Sequence, residues 1–302
     1  MITSFRVPRH SPAGRVLLTL LLLGTASGCG EDVNVVLERR SEARQITADL
    51  LVQFTKAADA ANRAVMADTD EASVAFAKEA GQATASIKKD IDTLNPLLST
   101  LGYSDETALL KEFSDRFAEY QALDRRILDL AVENTNLKAQ RLAFGPAQEA
   151  ANAFRDALKA VRATAPDKDS WHVEALVATA VTTVREIQVL QAPHIANADE
   201  AVMTRMETEM ATSEMQARRS LDALRTVTPP ASTPHLDAAA AALARFMDLN
   251  AQIIALSRRN TNVRSLALSL DQKRTITVSC EERLHALQNA LAKRGYSGTR
   301  GR

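Results

Sequence analysis

The sequence predicts an all-α protein: a long antiparallel helical bundle made of two homologous helical hairpins, with four arms on the order of 60 residues each. Three observations carry this expectation. Helix breakers are scarce, with 10 glycines and 9 prolines in 302 residues, while 46% of the chain is hydrophobic and only 4% aromatic, so long alanine- and leucine-rich helices are favoured over a compact aromatic core. The stretch "LDRRILDLAVENTNLKAQRLAF", ending at Phe144, returns 126 residues later as "LNAQIIALSRRNTNVRSLALSL", with Asn134-Thr135-Asn136 matched by Asn260-Thr261-Asn262. Within each copy apolar residues keep a seven-residue period. The rows are Phe113, Tyr120 and Ile127 with Leu123, Leu130, Leu137 and Phe144, then Phe246 and Ile253 with Leu249, Leu256, Val263 and Leu270.

Residues 1–28 read as an export signal: Arg6, Arg9 and Arg15, then an apolar run from Val16 to Leu23, then small residues to Gly28. The run is too short for a stable bilayer span. Ala26-Ser27-Gly28-Cys29 resembles the bacterial lipobox, which implies that Cys29 becomes a lipidated, palmitate-bearing first residue. Gly30 in place of aspartate implies the periplasmic face of the outer membrane, with the inner membrane as the other possibility. No later apolar run is read as a spanning helix. Lys+Arg and Asp+Glu balance at 37 each, and losing the leader tips the balance slightly acidic, so no basic field exists for nucleic acid.

The first hairpin is expected over 29–165. Val33, Val36, Leu37, Ile46, Leu50, Leu51, Phe54, Ala58, Ala61 and Val65 step by three and four, which predicts a helix. The polar run at 67–71 interrupts it as a kink or a turn, and Val74, Ala80, Ala83, Ile87, Ile91 and Leu94 resume the pattern. Pro96, Gly102 and Ser104-Asp105-Glu106 mark a definite turn into the next helix. That helix runs past Gly145-Pro146, a kink or short break, to Pro166. The second hairpin, 166–294, follows the same plan: a polar linker to Ser170, an interruption at 193–199, a turn at Pro229-Pro230 and a last helix from Thr233. The tail 295–302 carries no helical pattern and is expected to be disordered.

Read as continuous, the arms are 33–95, 105–164, 170–227 and 233–294, each about 90 Å long at ~1.5 Å per residue. Broken at the interruptions, they give instead two shorter bundles stacked end to end. Matched arm lengths favour the continuous form.

The run "EFSDRFAEYQALDRRILDLAVENTNLKAQRLAFGPAQEAANAFRDAL", and again "LARFMDLNAQIIALSRRNTNVRSLALSL", resembles the periplasmic four-helix-bundle sensor module of methyl-accepting chemotaxis receptors and related histidine kinases. The resemblance implies a stand-alone, lipid-anchored, sensor-like module that binds a small ligand or a periplasmic protein. The second membrane span and signalling rod of those receptors have no counterpart here, and no ligand residues carry over. A homodimer is one possible assembly. The alternative is a structural outer-membrane lipoprotein, a spacer or scaffold without a small-molecule ligand.

Asn134 and Asn260 are the candidate ligand residues, since each places an amide in an apolar row at mid-bundle, beside the interruptions at Asp68 and Asn197. The other reading of the same residues is a register device, as a core asparagine fixes pairing in coiled coils. Asn136 and Asn262, two positions on, are expected to face outward. Glu282 and His285 have an ExxH spacing, but di-iron bundles need two such motifs and two further glutamates. His172, His194 and His235 show no ligand spacing, so neither metal nor cofactor is expected. Cys280 is expected to be a buried structural thiol and Trp171 a packing cap. Without a paired nucleophile and base or a phosphate-binding loop, no enzyme activity is expected.

Overall fold

The structure, a computed structural model, describes residues 33–165, 168 and 170–294. The export signal, Cys29, most of the linker at 166–169 and the tail 295–302 fall outside the described residues. Every regular element among the described residues is helical.

Helix α1 (Val33–Met66) reverses into α2 (Asp70–Thr100). Thr69 makes the reversal: its backbone is extended and its hydroxyl accepts from the Ala72 N–H at 3.1 Å, supplying one of the donors that a helix start leaves open. Ala57, Ala60, Ala61 and Ala64 of α1 and Ala80 and Ala83 of α2 are buried, small residues that let the two helices lie close. Helix α2 tolerates Pro96 and ends at Gly102, whose φ of 68° is the left-handed conformation a glycine adopts without cost. Tyr103 N–H donates to Leu98 O and Gly102 N–H to Ser99 O, which closes the helix as a Schellman turn.

Helices α3 (Ser104–Glu133), α4 (Thr135–Leu142) and α5 (Gln148–Ala163) follow one another as one long rod. Asn134 interrupts the rod once, and a π turn at Ala143–Ala147, containing Pro146, interrupts it again. The second half repeats the plan. A hairpin of α6 (Ser170–Ala196) and α7 (Glu200–Val227) precedes a rod of α8 (Thr233–Arg259), α9 (Thr261–Leu268) and α10 (Arg274–Lys293), with a π turn at Ser269–Lys273. Asp199 starts α7 by accepting from Ala201 and Val202 N–H, whereas Pro193 stays inside α6.

Of the two arrangements open to the sequence, the stacked one is found. The interruptions at 67–69 and 197–199 are full reversals, so the first and third arms are themselves hairpins, while the second and fourth arms run through. The two rods lie antiparallel, and each hairpin packs where the start of one rod meets the end of the other. The first bundle is α1, α2, α3 and α10, with Leu50, Phe54, Ile87, Leu94, Phe113, Phe117, Tyr120, Leu284 and Leu287 in its core. The second is α5, α6, α7 and α8, around Phe154, Leu158, Val177, Ile187, Met210, Leu224, Leu243 and Phe246. The linker at 166–170 therefore divides the repeat, but each bundle takes helices from both halves.

The seam is also corrected. Phe113, Tyr120 and Ile127 are buried as expected, but Leu123, Leu130 and Leu137 are only half-buried and Phe144 is 71% exposed. The second buried row is Phe117, Asp124 and Ala131, repeated as Leu243, Asn250 and Ser257. Polar residues in an inner row concealed it from a hydrophobicity pattern. Moreover, a window of 18 residues within Pro230–Lys293 reaches a mean hydropathy of 1.3, enough by length and composition to cross a bilayer, although α8 and α10 both pack in the bundles.

The end of α10 is fastened to α1 and α3. Arg44 donates to Leu291 O at 3.0 Å, meeting a carbonyl that the helix end leaves open. The Arg294 guanidinium grips buried Glu106 at 2.8 and 2.9 Å. Burial opposes the charge on Glu106, but this pairing outweighs it and holds the carboxyl below its usual range.

Candidate functional site

The repeated Asn-Thr-Asn runs meet at the middle of the molecule, where the rods cross. Asn134 and Asn260 both sit in the left-handed region, at φ of 50° and 53°. Asparagine tolerates that region better than other side-chain-bearing residues. The single left-handed residue resets the helix phase, so that Thr135, Asn136 and Thr261 turn inward. Asn136, expected on the outside, is 5% exposed for this reason. The same reset leaves Asn262 half-buried instead of outward.

A reciprocal hydrogen-bond set follows. Thr135 N–H donates to Thr261 Oγ1 and Thr261 N–H to Thr135 Oγ1, both at 3.1 Å. Asn136 N–H donates to Asn262 Oδ1 and Asn262 N–H to Asn136 Oδ1, again at 3.1 Å. Asn136 Nδ2 donates to Asn260 Oδ1 and Asn262 Nδ2 to Asn134 Oδ1, both at 2.8 Å. Asn260 Nδ2 also reaches Asn197 O at 2.6 Å, the neighbour expected for it. Asn134 Nδ2 has no acceptor among the described residues, and Asp68 instead receives Arg141 on its carbonyl. The structure thus brings both candidate ligand residues into one cluster and engages three of their four amide nitrogen and oxygen atoms.

Two charged groupings lie on either side of this crossing. In the second bundle His194 is 1% exposed and held at both ring nitrogens, Nδ1 by Ser257 Oγ and Nε2 by Glu207 Oε1, each at 2.8 Å. Arg258 binds both oxygens of Glu207, at 2.7 and 2.9 Å. The Arg258 hydrogen bond, with His194 behind it, holds the Glu207 carboxyl below its usual range. All these groups are mutually satisfied, which makes the set a bracket between α6, α7 and α8.

The first bundle holds a different device. Lys273, the last residue of the second π turn, is 2% exposed, and its ammonium stands 2.6 Å from Asp124 Oδ1 and 5.4 Å from the centre of the Tyr120 ring. Burial pushes the Asp124 carboxyl up and Lys273 pulls it back only in part. The ion pair lies off a hydrogen-bonding direction, so the ammonium has no aligned acceptor among the described residues. Lys273 borders a cavity of about 360 Å³ between α1 and the α9–α10 segment, with its ammonium nitrogen buried beneath the surface. Ala58, Val65 and Leu266 give this cavity apolar walls, while Arg274 stands with Lys273 in its lining. Asp124, on the other side of the pair, lines a groove of about 400 Å³ between α2 and α3.

The internal repeat isolates what is special here. Position 273 corresponds to Ala147, position 274 to Gln148 and position 124 to Asn250. In the second bundle Gln148 Oε1 accepts from Gln188 at 3.0 Å and Asn250 from Gln191 at 2.9 Å, so the equivalent place is neutral and tied shut. The fold therefore builds the same turn without a buried charge. A wider groove of about 580 Å³ between α6 and α7 has its buried Ser213 already donating to Glu186 at 2.8 Å.

The sequence reading did not find Lys273. Its partner lies 149 positions away in sequence, and the signal was the polar residue shared by Asp124 and Asn250. Glu282 and His285 are exposed, and no group of three metal-binding side chains occurs among the described residues. Trp171 is 72% exposed and, among the described residues, stacks on His172, so it is not a packing cap. Cys280 is buried, and burial pushes its thiol up to about 12. A scan against protein-family models matches no family, and a search of the curated proteins finds no relative.

Proposed function

We propose that this chain is a sensor-like binding module, anchored through a lipid on Cys29 and facing the periplasm, that takes a small solute in its first bundle. The observation that carries the reading is the buried Lys273–Asp124 pair at a π turn that borders a cavity, where the first copy of the same turn has Ala147. Burying an ion pair costs several kcal/mol per charge before the pair attraction returns part of it, so a turn that does without one in its other copy keeps this one for another reason. Departures from regular helix are frequent at functional sites. In this reading Asn134 and Asn260 hold the register of the crossing, and the ligand is met by Lys273.

Thermal unfolding of residues 30–302 against a panel of small metabolites tests the proposal. A ligand at 100 times its dissociation constant adds about 2.7 kcal/mol and raises the midpoint. Lys273→Met combined with Asp124→Leu should abolish the shift. Silence across the panel, with a shift in periplasmic extract, would move the reading to a protein partner. Silence in both would move it to a scaffold. Metabolic labelling with a palmitate analogue, lost in Cys29→Ser, tests the anchor.

A further inference from the structure

Along α9 and α10 the residues Leu266, Leu270, Arg274 and Val278 recur every four positions, and the π turn at Ser269–Lys273 lies within the run. Such a row forms a ridge on a helical surface, and ridges of this kind seat in the grooves of a second helix. Its apolar members stand in water. Leu266, Leu270 and Val278 are all exposed, Leu270 by 66%, and Met66 of α1 beside them by 70%. The ridge has a hollow on either side. The cavity next to α1 borders it on one flank, and on the other lies a shallow outer groove formed by Leu270, Asp271, Arg274, Thr275 and Val278. We infer that two copies of this chain pair through this face, the ridge of each seated in the outer groove of the other. The cavity next to α1 stays outside the crossing, so the inference does not depend on the solute reading.

The charges on the face select a second copy as the occupant. Asp271 and Arg274 are both exposed, and neither makes an ion pair among the described residues. A two-fold interface sets each residue of one protomer against its counterpart's neighbour, and the reverse. An antiparallel crossing centred between Leu270 and Arg274 places Asp271 of one protomer against Arg274 of its partner, twice, and Leu266 against Val278. One acid and one base on each side thus satisfy each other. The internal repeat shows that the fold does not require this face. In the first copy the same row reads Gln140, Phe144, Gln148 and Asn152, with Gly145 in place of Asp271. There Gln148 is spent on Gln188, and Asn152 accepts from Gln148 and Arg155. The ridge from Leu266 to Val278 is about 18 Å long at ~1.5 Å per residue, short for a permanent interface, so the dimer is a reversible one.

Sedimentation velocity of the chain over a concentration series is the test, and a monomer–dimer equilibrium is expected. Leu270→Glu, an exposed position, puts an unpaired carboxylate into the crossing and should weaken the dimer about ten-fold or more while far-UV circular dichroism stays that of the parent. Arg274→Asp should weaken it as well, by facing two acids across the axis, and the exchange Asp271→Arg/Arg274→Asp should restore most of the affinity. A chain that stays monomeric at every concentration overturns the inference. So does a dimer whose affinity Leu270→Glu leaves unchanged, which would place the interface elsewhere, or an exchange variant no tighter than Arg274→Asp alone. Adsorption of a monomer to phosphatidylglycerol vesicles, released by Leu270→Glu, would show the ridge meeting lipid and overturns the pairing too.

Discussion

Thr135 and Thr261 face each other across the crossing of the two rods, each accepting the other's backbone N–H at 3.1 Å. Their hydroxyls lie 3.2 Å apart. The arrangement is close to two-fold symmetric within one chain, and both threonines are 2% exposed. Removing either hydroxyl strands a buried N–H, at a cost of about 1–3 kcal/mol. Thr135→Val should lower stability to urea by that amount, and Thr135→Ser, which keeps the acceptor, should recover most of it.

The left-handed residues make a second prediction. Alanine in the left-handed region costs roughly 1–2 kcal/mol, and Asn260→Ala also removes two hydrogen bonds. Asn260→Gly keeps the backbone conformation but not the amide, so it should be less destabilising than alanine in equilibrium unfolding. Equal effects would show that the strain of the turn is not felt.

For the buried ion pair, Lys273→Met alone leaves Asp124 buried and unpartnered, and should cost about 3–5 kcal/mol. The double variant Asp124→Leu/Lys273→Met should be near neutral or stabilising, because two desolvation penalties vanish together. A double-mutant cycle in urea measures the coupling directly.

Acid should loosen the second bundle through Glu207. Its carboxyl is held below the ordinary 4.5, first by Arg258, so the stabilisation it gives is present above about pH 4.5 and is lost as pH falls through the lowered value. Glu207→Gln should flatten that acid limb in a plot of unfolding midpoint against pH, lowering stability at neutral pH and less so under acid. The side chain is 26% exposed, so salt should weaken the effect.

Cys280 reports on the first bundle. Its thiol is buried and pushed up to about 12, so little thiolate forms at neutral pH. A thiol reagent should modify it in step with unfolding, and Phe54→Ala, which opens the same core, should accelerate the reaction.

Much of this architecture was legible because periodicity and repetition are local properties. The Asn-Thr-Asn pair, the turns at Gly102 and Pro229-Pro230 and the matched rods all stand in the sequence. What distinguished a kink from a reversal did not. Pro193 looks like a breaker yet stays within α6, whereas Ala67-Asp68-Thr69 reverses the chain outright, because the decision rests on whether α1 and α2 can pack alanine against alanine. The outward placement expected for Asn136 failed at a single backbone dihedral, at Asn134, that no hydrophobic pattern records. Lys273 reads as one more surface cation until α10 is laid beside α3; comparing it with Ala147 in the first copy was the available signal.

The unequal threading of the two bundles bears on the order in which they are completed during synthesis. The second bundle draws on one continuous stretch, residues 148–259, and has all its helices once α8 has emerged. The first needs α10, so α1, α2 and α3 must wait for nearly the whole chain with the face of Phe54, Phe113, Phe117 and Tyr120 uncovered. Domains generally close as units as their parts become available. The bundle whose helices begin to be made first is thus the last to be sealed, and a polypeptide cut short before residue 274 would leave that core open to aggregation or proteolysis.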